Sequence, residues 1–470
     1  MNRKSGYSYA PLEGSDSIRL LMVENVGSTS KGRGPIRCWI RHFHLSNAPP
    51  YRALSYAWGS TDTKKIFLND RIVEVRRNLW EALAHIQFAC VDFGIAEKDQ
   101  IFADENSKWV WIDALCIDQS NTAERNHQVG VMGRIYQKAT EVLVWLGCES
   151  DFQGGPLISA AIEAMALMHD GKEGQNHFQI FDRHHEGLLA LFQLPYWQRL
   201  WIVQEIILAV KITLLFDKVS ADWHNVHKLR IMLSSEYFPN KFELLPGSTF
   251  TTTQRSDLLS CQAFRLGRHQ SAILGYFQNN LEHLIESFQE SLCSDPRDKV
   301  YGLLGLADDC QEGQLQVDYS RTLFEVYSNV IDLYYTTRRR QGPSQHTPRF
   351  SQILQRAFKT SAFQSAFTRQ AIDYTLRSLS FNPSVLRPSF HIFGIKCGTI
   401  TTFGDAIDLA ELSRFSPVAP ELTKYVRATI SNAVRDLKKL VPLQAHTSFA
   451  LQGLYITPPR FFGRILTSGS

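Results

Sequence analysis

The sequence predicts an α/β protein with a largely parallel sheet flanked by helices, followed by a mainly helical region. Three observations carry the prediction. Four runs are apolar on both faces, "YRALSYAWG" (51–59), "WVWIDALCI" (109–117), "EVLVWLG" (141–147) and "KITLLF" (211–216), as strands buried between two helical layers must be. A helical stripe separates the second run from the third, and strand–helix–strand order implies a right-handed crossover between parallel strands. Beyond about residue 222 the apolar spacing is helical almost throughout.

The elements follow in chain order. Residues 1–35 are polar and read as a flexible N-terminal segment, apart from a short strand-like "SIRLLMVEN". "RCWIRHFHL" and "YRALSYAWG" read as strands, separated by "NAPP", whose prolines do not fit inside a central strand. "KKIFLNDRIVEV" reads as a hairpin, with Asn69 and Asp70 tolerating the positive φ of a tight turn. Asn78 is placed to cap a helix whose Leu79, Ala82, Leu83 and Ile86 share one face. Residues 91–107 are polar and read as a loop, and 109–117 as the next strand. In "NTAE" the cap is Asn121, with Glu124 three residues on, and Val129, Met132, Tyr136 and Ala139 form the buried stripe of the following helix.

Helices are expected over roughly 157–169 and 184–193. "PYWQRLWIVQEIILA" reads as one further helix with Pro195 in its first turn. In "SDPRDKVYGLLGLA", Asp295 is a cap, Pro296 takes the first position and Asp298 faces the positive helix end. The expected organisation is a sheet domain over 36–220, a helical extension packed on it over 221–335, a linker over 336–349 and a C-terminal helical region over 350–470. That last region contains a short strand pair, "FHIFGIKCG" and "ITTFGDAID".

Composition narrows the function classes. Hydrophobic residues make up 44% and charged residues 20%, ordinary values for a packed chain. The net charge is +4, from 50 basic and 46 acidic residues, too even for a general nucleic-acid or membrane-surface binder. The eight cysteines are scattered without a CxxC pair, which fits neither a zinc site nor a dense disulfide framework. The N-terminus lacks an apolar signal core, and Glu205 and Lys211 interrupt the most apolar long stretch, so the expectation is a cytoplasmic protein with no membrane span. HExxH, GxxxxGK[ST], GxGxxG and GxSxG are absent, which leaves zincin, P-loop, dinucleotide-binding and serine-hydrolase readings unsupported.

The motifs "YRALSYAWG", "NLWEAL", "WVWIDALCIDQ", "ERNHQVGVMGRIYQKATEVLVWLG", "YWQRLWIVQEIILA" and "SDPRDKVYGLLGLA" stand in the order and approximate spacing of fungal heterokaryon incompatibility (HET) domain proteins. The resemblance is strong over about 51–210 and continues to about 330 through "VDYSRTLFEVY". It implies a role in non-self recognition and in the cell death that follows fusion of incompatible strains. The implied partners are other proteins of that pathway and further copies of the chain. It also implies distant kinship with TIR domains, flavodoxin-like modules. Some of these cleave NAD with a glutamate, which makes Glu205 the candidate catalytic residue and NAD a candidate substrate, with no cofactor assigned.

The residues themselves allow two readings. Ligand crevices of open parallel sheets lie beyond the carboxyl ends of the strands. Ser55, Trp58, Gly59, Asp113 and Asp118 would stand at such ends, with Trp201 nearby, and together they are the ligand-pocket candidates. Asp113 and Asp118 equally fit local pairs with residues such as Arg125, or caps of the next helix. Cys116 has no activating histidine in local sequence and reads as a buried thiol, and His127 reads as a surface residue. Glu205, among apolar neighbours, needs a partner. Arg199 lies six residues away, off the same turn, so that partner would come from another segment such as Arg134 or Arg297. A carboxylate there suits a reaction that builds positive charge on a sugar, as in glycoside hydrolysis. An NAD-cleaving enzyme and a scaffold acting through protein contacts both remain open.

Overall fold

The computed structural model describes residues 7–24, 35–89, 109–168, 175–234, 250–273, 279–310, 313–339, 347–358, 392–394 and 398–400. Nine strands form one mixed sheet in the order β5-β4-β2-β1-β6-β3-β7-β8-β9. They are β1 (Ser17–Val23), β2 (Arg37–His44), β3 (Tyr51–Tyr56), β4 (Thr63–Leu68), β5 (Arg71–Arg76), β6 (Trp109–Trp111), β7 (Glu141–Trp145), β8 (Ile212–Phe216) and β9 (Val219–Asp222). β6, β3, β7 and β8 run parallel at the centre. The largely parallel expectation is corrected on either side of them: β1 is antiparallel to β2 and β6, β4 to β5, and β8 to β9. For β4–β5 and β8–β9 the reason is connection length, since antiparallel neighbours need only tight turns, such as Asn69–Asp70, at φ 45° and 59°.

The strand-like stretch expected within the N-terminal segment is β1, an inner strand of this sheet with Ile18, Leu20 and Leu21 fully buried. Arg19, also fully buried, pairs with Glu124 and donates to the Cys116 and Ala10 carbonyls. The β3, β7 and β8 runs are buried at every position, as a covered sheet requires.

Helices α1 (Arg77–Ala89), α2 (Asp113–Cys116), α3 (Thr122–Lys138), α4 (Gly155–Ala166), α5 (Gln175–Phe192), α6 (Ile202–Ile207) and α7 (Trp223–Ser234) accompany the sheet. Asn121 caps α3 by accepting from the Ala123 and Glu124 amides. Met132, Tyr136 and Ala139 are buried, as the helical stripe predicts, Val129 is half-buried, and Ile135 joins the buried face. Asn78 is not a cap. It lies inside α1, donates to the Ala57 carbonyl and accepts from Trp145 Nε1, because the helix starts one residue earlier, at Arg77. Residues 109–117 are not one strand either. β6 ends at Trp111 and α2 begins at Asp113, with the Leu115 and Cys116 amides turning back to the Ile112 carbonyl.

The chain divides into two compact units. The first holds the sheet and comprises Met1–Asn280, Ser291–Cys293 and Tyr301–Asp309. Beyond the elements above it includes α8 (Thr252–Ser260) and α9 (Gln262–Ile273). The second comprises Leu281–Glu290, Ser294–Val300 and Cys310–Ser470. Its described part is mainly helical, with α10 (Leu281–Phe288), α12 (Leu323–Arg339) and α13 (Thr347–Phe358). Helix α11 (Asp298–Leu304) follows a turn in which Asp295 accepts from the Arg297 amide. Helices occupy the two ends of the 336–349 stretch. Helix persists to Arg339 and resumes at Thr347, since nothing in "TTRR" forbids helix. Residues 340–346 lie outside the described residues. A short strand pair is present as β10 (Ile392–Gly394) against β11 (Gly398–Ile400), but both strands lie within or at the end of the first expected strand, and of the second expected strand only Ile400 takes part.

Candidate functional site

Strand order reverses around β3. The chain leaves β3, returns to pair with it through β6 on one side, and then crosses through α3 to pair through β7 on the other. Such a reversal splays the connections apart beyond the carboxyl ends of the strands, and there side chains from several elements meet. Ser55 stands near that end of β3, Trp58 lies just past it, and Asp113 lies just past β6.

Glu205 comes to the same place from a helix that the sequence misdescribes. "PYWQRLWIVQEIILA" is not continuous. Pro195–Gln198 forms a 3-10 turn, Arg199 is extended at φ −71° and ψ 139°, and α6 starts at Ile202. The break is held by a distant strand-like segment: the Leu200 amide donates to the Leu292 carbonyl at 2.8 Å, and the Leu292 amide to the Gln198 carbonyl at 2.5 Å. The kink removes the helical spacing that would separate Arg199 from Glu205. Arg199 therefore supplies the electrostatic partner expected from Arg134 or Arg297. Arg134 pairs instead with Asp16, and Arg297 with Asp295.

Glu205 is only 5% exposed. Its Oε2 accepts from the Ser55 hydroxyl, which also meets the Tyr196 hydroxyl. Burial raises its pKa to about 7, nearby Asp113 adds to the rise, and Arg199 and Ser55 oppose it. Asp113 is also raised, first by burial, against the opposing Arg199 charge and the Trp58 hydrogen bond. For Arg199, burial works against the charge, but Glu205 and Asp113 more than offset it and the pKa rises. One guanidinium thus serves two carboxylates. Its Nη1 also donates to the Tyr56 carbonyl.

The six pocket candidates separate into two groups. Ser55 and Asp113 join Glu205, and Trp58 is tied to them, its Nε1 donating to Asp113 Oδ2 at 3.0 Å. Trp58 is 37% exposed and Arg76 lies over its ring. Asp118 does not join them. It turns toward α3 and accepts from the Ser120 amide and hydroxyl. Gly59, at φ +68°, lends only its carbonyl, to Arg76. Trp201 is half-buried, and a methyl group at Gly302 would meet its ring. Cys116 is fully buried, and burial pushes its thiol up to about 12. His127 reaches the Ser15 carbonyl.

Sequence reasoning missed Arg199 and Tyr196. The one local signal was Pro195, which opens the 3-10 turn that carries Tyr196. The chain reversal that uses them depends on Leu292, about ninety residues away, and leaves no local mark. Glu81, Cys148 and Asp151 gather within 4.8 Å in a second group. Arg77 pairs with both of its carboxylates.

Residues 51–205 match the family model described as heterokaryon incompatibility protein (HET). Heterokaryon incompatibility protein 6, OR allele, from Neurospora crassa, is 26% identical in an alignment of 386 residues that covers 72% of this chain and 55% of that protein. The chain therefore spans about half the length of this curated relative. No solved structure matches the chain.

Proposed function

We propose that this chain, whose residues 51–205 match the HET family model, acts in fungal non-self recognition as an effector of the cell death that follows fusion of incompatible strains. The matched segment carries this reading, because 51–205 begins at β3 and ends on Glu205, taking in the whole Ser55–Asp113–Glu205 centre. Its partners are other proteins of an incompatibility pathway and further copies of the chain, and it acts in the cytoplasm. Among the described residues no helix is long and apolar enough to cross a membrane. The test is inducible expression of the full chain in a filamentous fungus, scored for hyphal compartments that admit a vital dye. Compartment death is expected on induction. Growth unaffected by protein visible on an immunoblot overturns the effector reading.

A second reading is favoured by one observation: a buried carboxyl with a pKa of about 7 beside a guanidinium and a hydroxyl donor. On this reading the domain is TIR-like and hydrolyses NAD to nicotinamide and ADP-ribose, with Glu205 stabilising the positive charge that builds on the ribose as the glycosidic bond breaks. Four parallel central strands flanked by helices support that kinship. Nicotinamide release by the concentrated full chain, lost in Glu205→Gln, is the expected result. Release that persists in the variant removes Glu205 from the role.

A further inference from the structure

The two oxygens of the Glu205 carboxylate have different surroundings. Oε2 accepts from Ser55 Oγ, and Ser55 Oγ is also within hydrogen-bond reach of the Tyr196 hydroxyl. A serine hydroxyl has one hydrogen to give. Ser55 gives it to the carboxylate, so the Tyr196 hydroxyl must be the donor to Ser55. Tyr196 is 2% exposed, and burial first, then the Glu205 charge, keep its phenol protonated. The hydrogen bonds therefore run one way, from Tyr196 through Ser55 to Oε2. Ser55 reaches Oε2 and not Oε1.

Each member of this chain is fixed from behind. Ser55 sits in β3, paired on one side with Val144 of β7. Tyr196 packs edge-on against Trp197, whose Nε1 donates to the Leu191 carbonyl at 2.7 Å. Two buried hydroxyls in series, ending on one carboxylate oxygen, are not needed to neutralise Glu205, since Arg199 already supplies the charge. Their effect is directional.

We propose that Ser55 and Tyr196 are positioning residues for Glu205, which hold Oε2 so that Oε1 is the oxygen presented to a reacting ligand. This rests on the reading of Glu205 as the reacting carboxylate. When both are ionised, Asp113 and Glu205 outnumber the one Arg199 guanidinium, and that charge balance suits a centre that becomes electron-poor as its bond breaks.

The test follows the Glu205 carboxyl itself, in the full chain, by pH-difference infrared spectroscopy. The Glu205 band is the one that Glu205→Gln removes. Tyr196→Phe deletes a single oxygen and leaves the ring packing. It should move the band and raise its titration midpoint, by up to about one pH unit, since the ionised form loses support. Ser55→Ala should do the same more strongly, and Ser55→Thr, which keeps a hydroxyl, should restore the original band. A band unmoved in Tyr196→Phe and in Ser55→Ala overturns the proposal, and so does a threonine variant that behaves as alanine. Nicotinamide release is read on the same proteins. There Ser55→Ala should lower kcat about tenfold or more with KM little changed. A responsive band without any release in the wild type removes the NAD reading and leaves the positioning pair standing. Release that requires Glu205 but ignores both hydroxyls does the reverse.

Discussion

Glu205 is the residue whose burial has the largest consequence. Its carboxyl has a pKa of about 7 in the folded chain against an ordinary 4.5. Between those values the folded state holds a proton that the unfolded state has released. Stability contributed by the protonated group is therefore full below about pH 4.5, falls as pH rises, and is gone above about 7. The loss is on the order of 3 kcal/mol. Glu205→Gln lacks this dependence, so its melting temperature, measured from pH 4.5 to 8, should gain on the wild type across that window and run level above it. Glu141 presents the opposite case, a carboxylate with every partner in place. It meets Arg52 at 3.0 Å, Thr213 at 2.6 Å and Lys211 at 3.1 Å, across β3, β7 and β8. Glu141→Ala should cost about 3–5 kcal/mol in urea unfolding, because Arg52 keeps its charge in a nearly dry place.

At the scale of elements, α3 and α6 decide whether the site forms. A Cβ at Gly133 would stand 3.2 Å from Gln204 Oε1, from the Gly305 Cα and from Leu208 Cδ1. Gly133→Val should therefore push α6 outward and cost about 1–3 kcal/mol. It should also disturb the Glu205 titration, since Glu205 follows Gln204. Gly130→Val is the control, because a Cβ there meets nothing within 4 Å. Met132, 5% exposed on the buried face of α3, gives a coarser test. Met132→Asp should lose more than about 4 kcal/mol and leave no cooperative melt by circular dichroism. The α3 stripe and its Asn121 cap were legible because both depend on residues within one or two turns. The kink at Arg199 was not, since backbone bonds to Leu292 outweigh the local preference of "WQRLWIVQE" for helix.

At the scale of the whole molecule, two modes of action separate by experiment. If the chain kills as a scaffold, toxicity on induced expression survives Glu205→Gln and falls with variants that lose self-association by light scattering. If it kills as an enzyme, toxicity and nicotinamide release fall together in that variant. The matched family segment ends at Glu205, yet the first compact unit also includes Ser291–Cys293 and Tyr301–Asp309. A version of the chain cut at 210 would lose the Leu292 bonds that extend Arg199. It should show a Glu205 band displaced from that of the full chain, and infrared titration of both proteins checks this.

The sequence by itself determined the α/β class, the central strands, the α3 cap and buried stripe, and the family. Each is written in short-range patterns: runs of apolar residues, a 3.6-residue period and motifs in fixed order. Only the tertiary structure decided that the sheet is mixed, that β1 lies inside it, and that Ser55 bonds to Glu205 with Arg199 and Asp113 near enough to act on its charge, while Asp118 turns away. The physical reason is that a burial pattern shows that a residue is covered but not by what. The partner of a buried charge is chosen by strand order and long-range backbone bonds, which no local window contains.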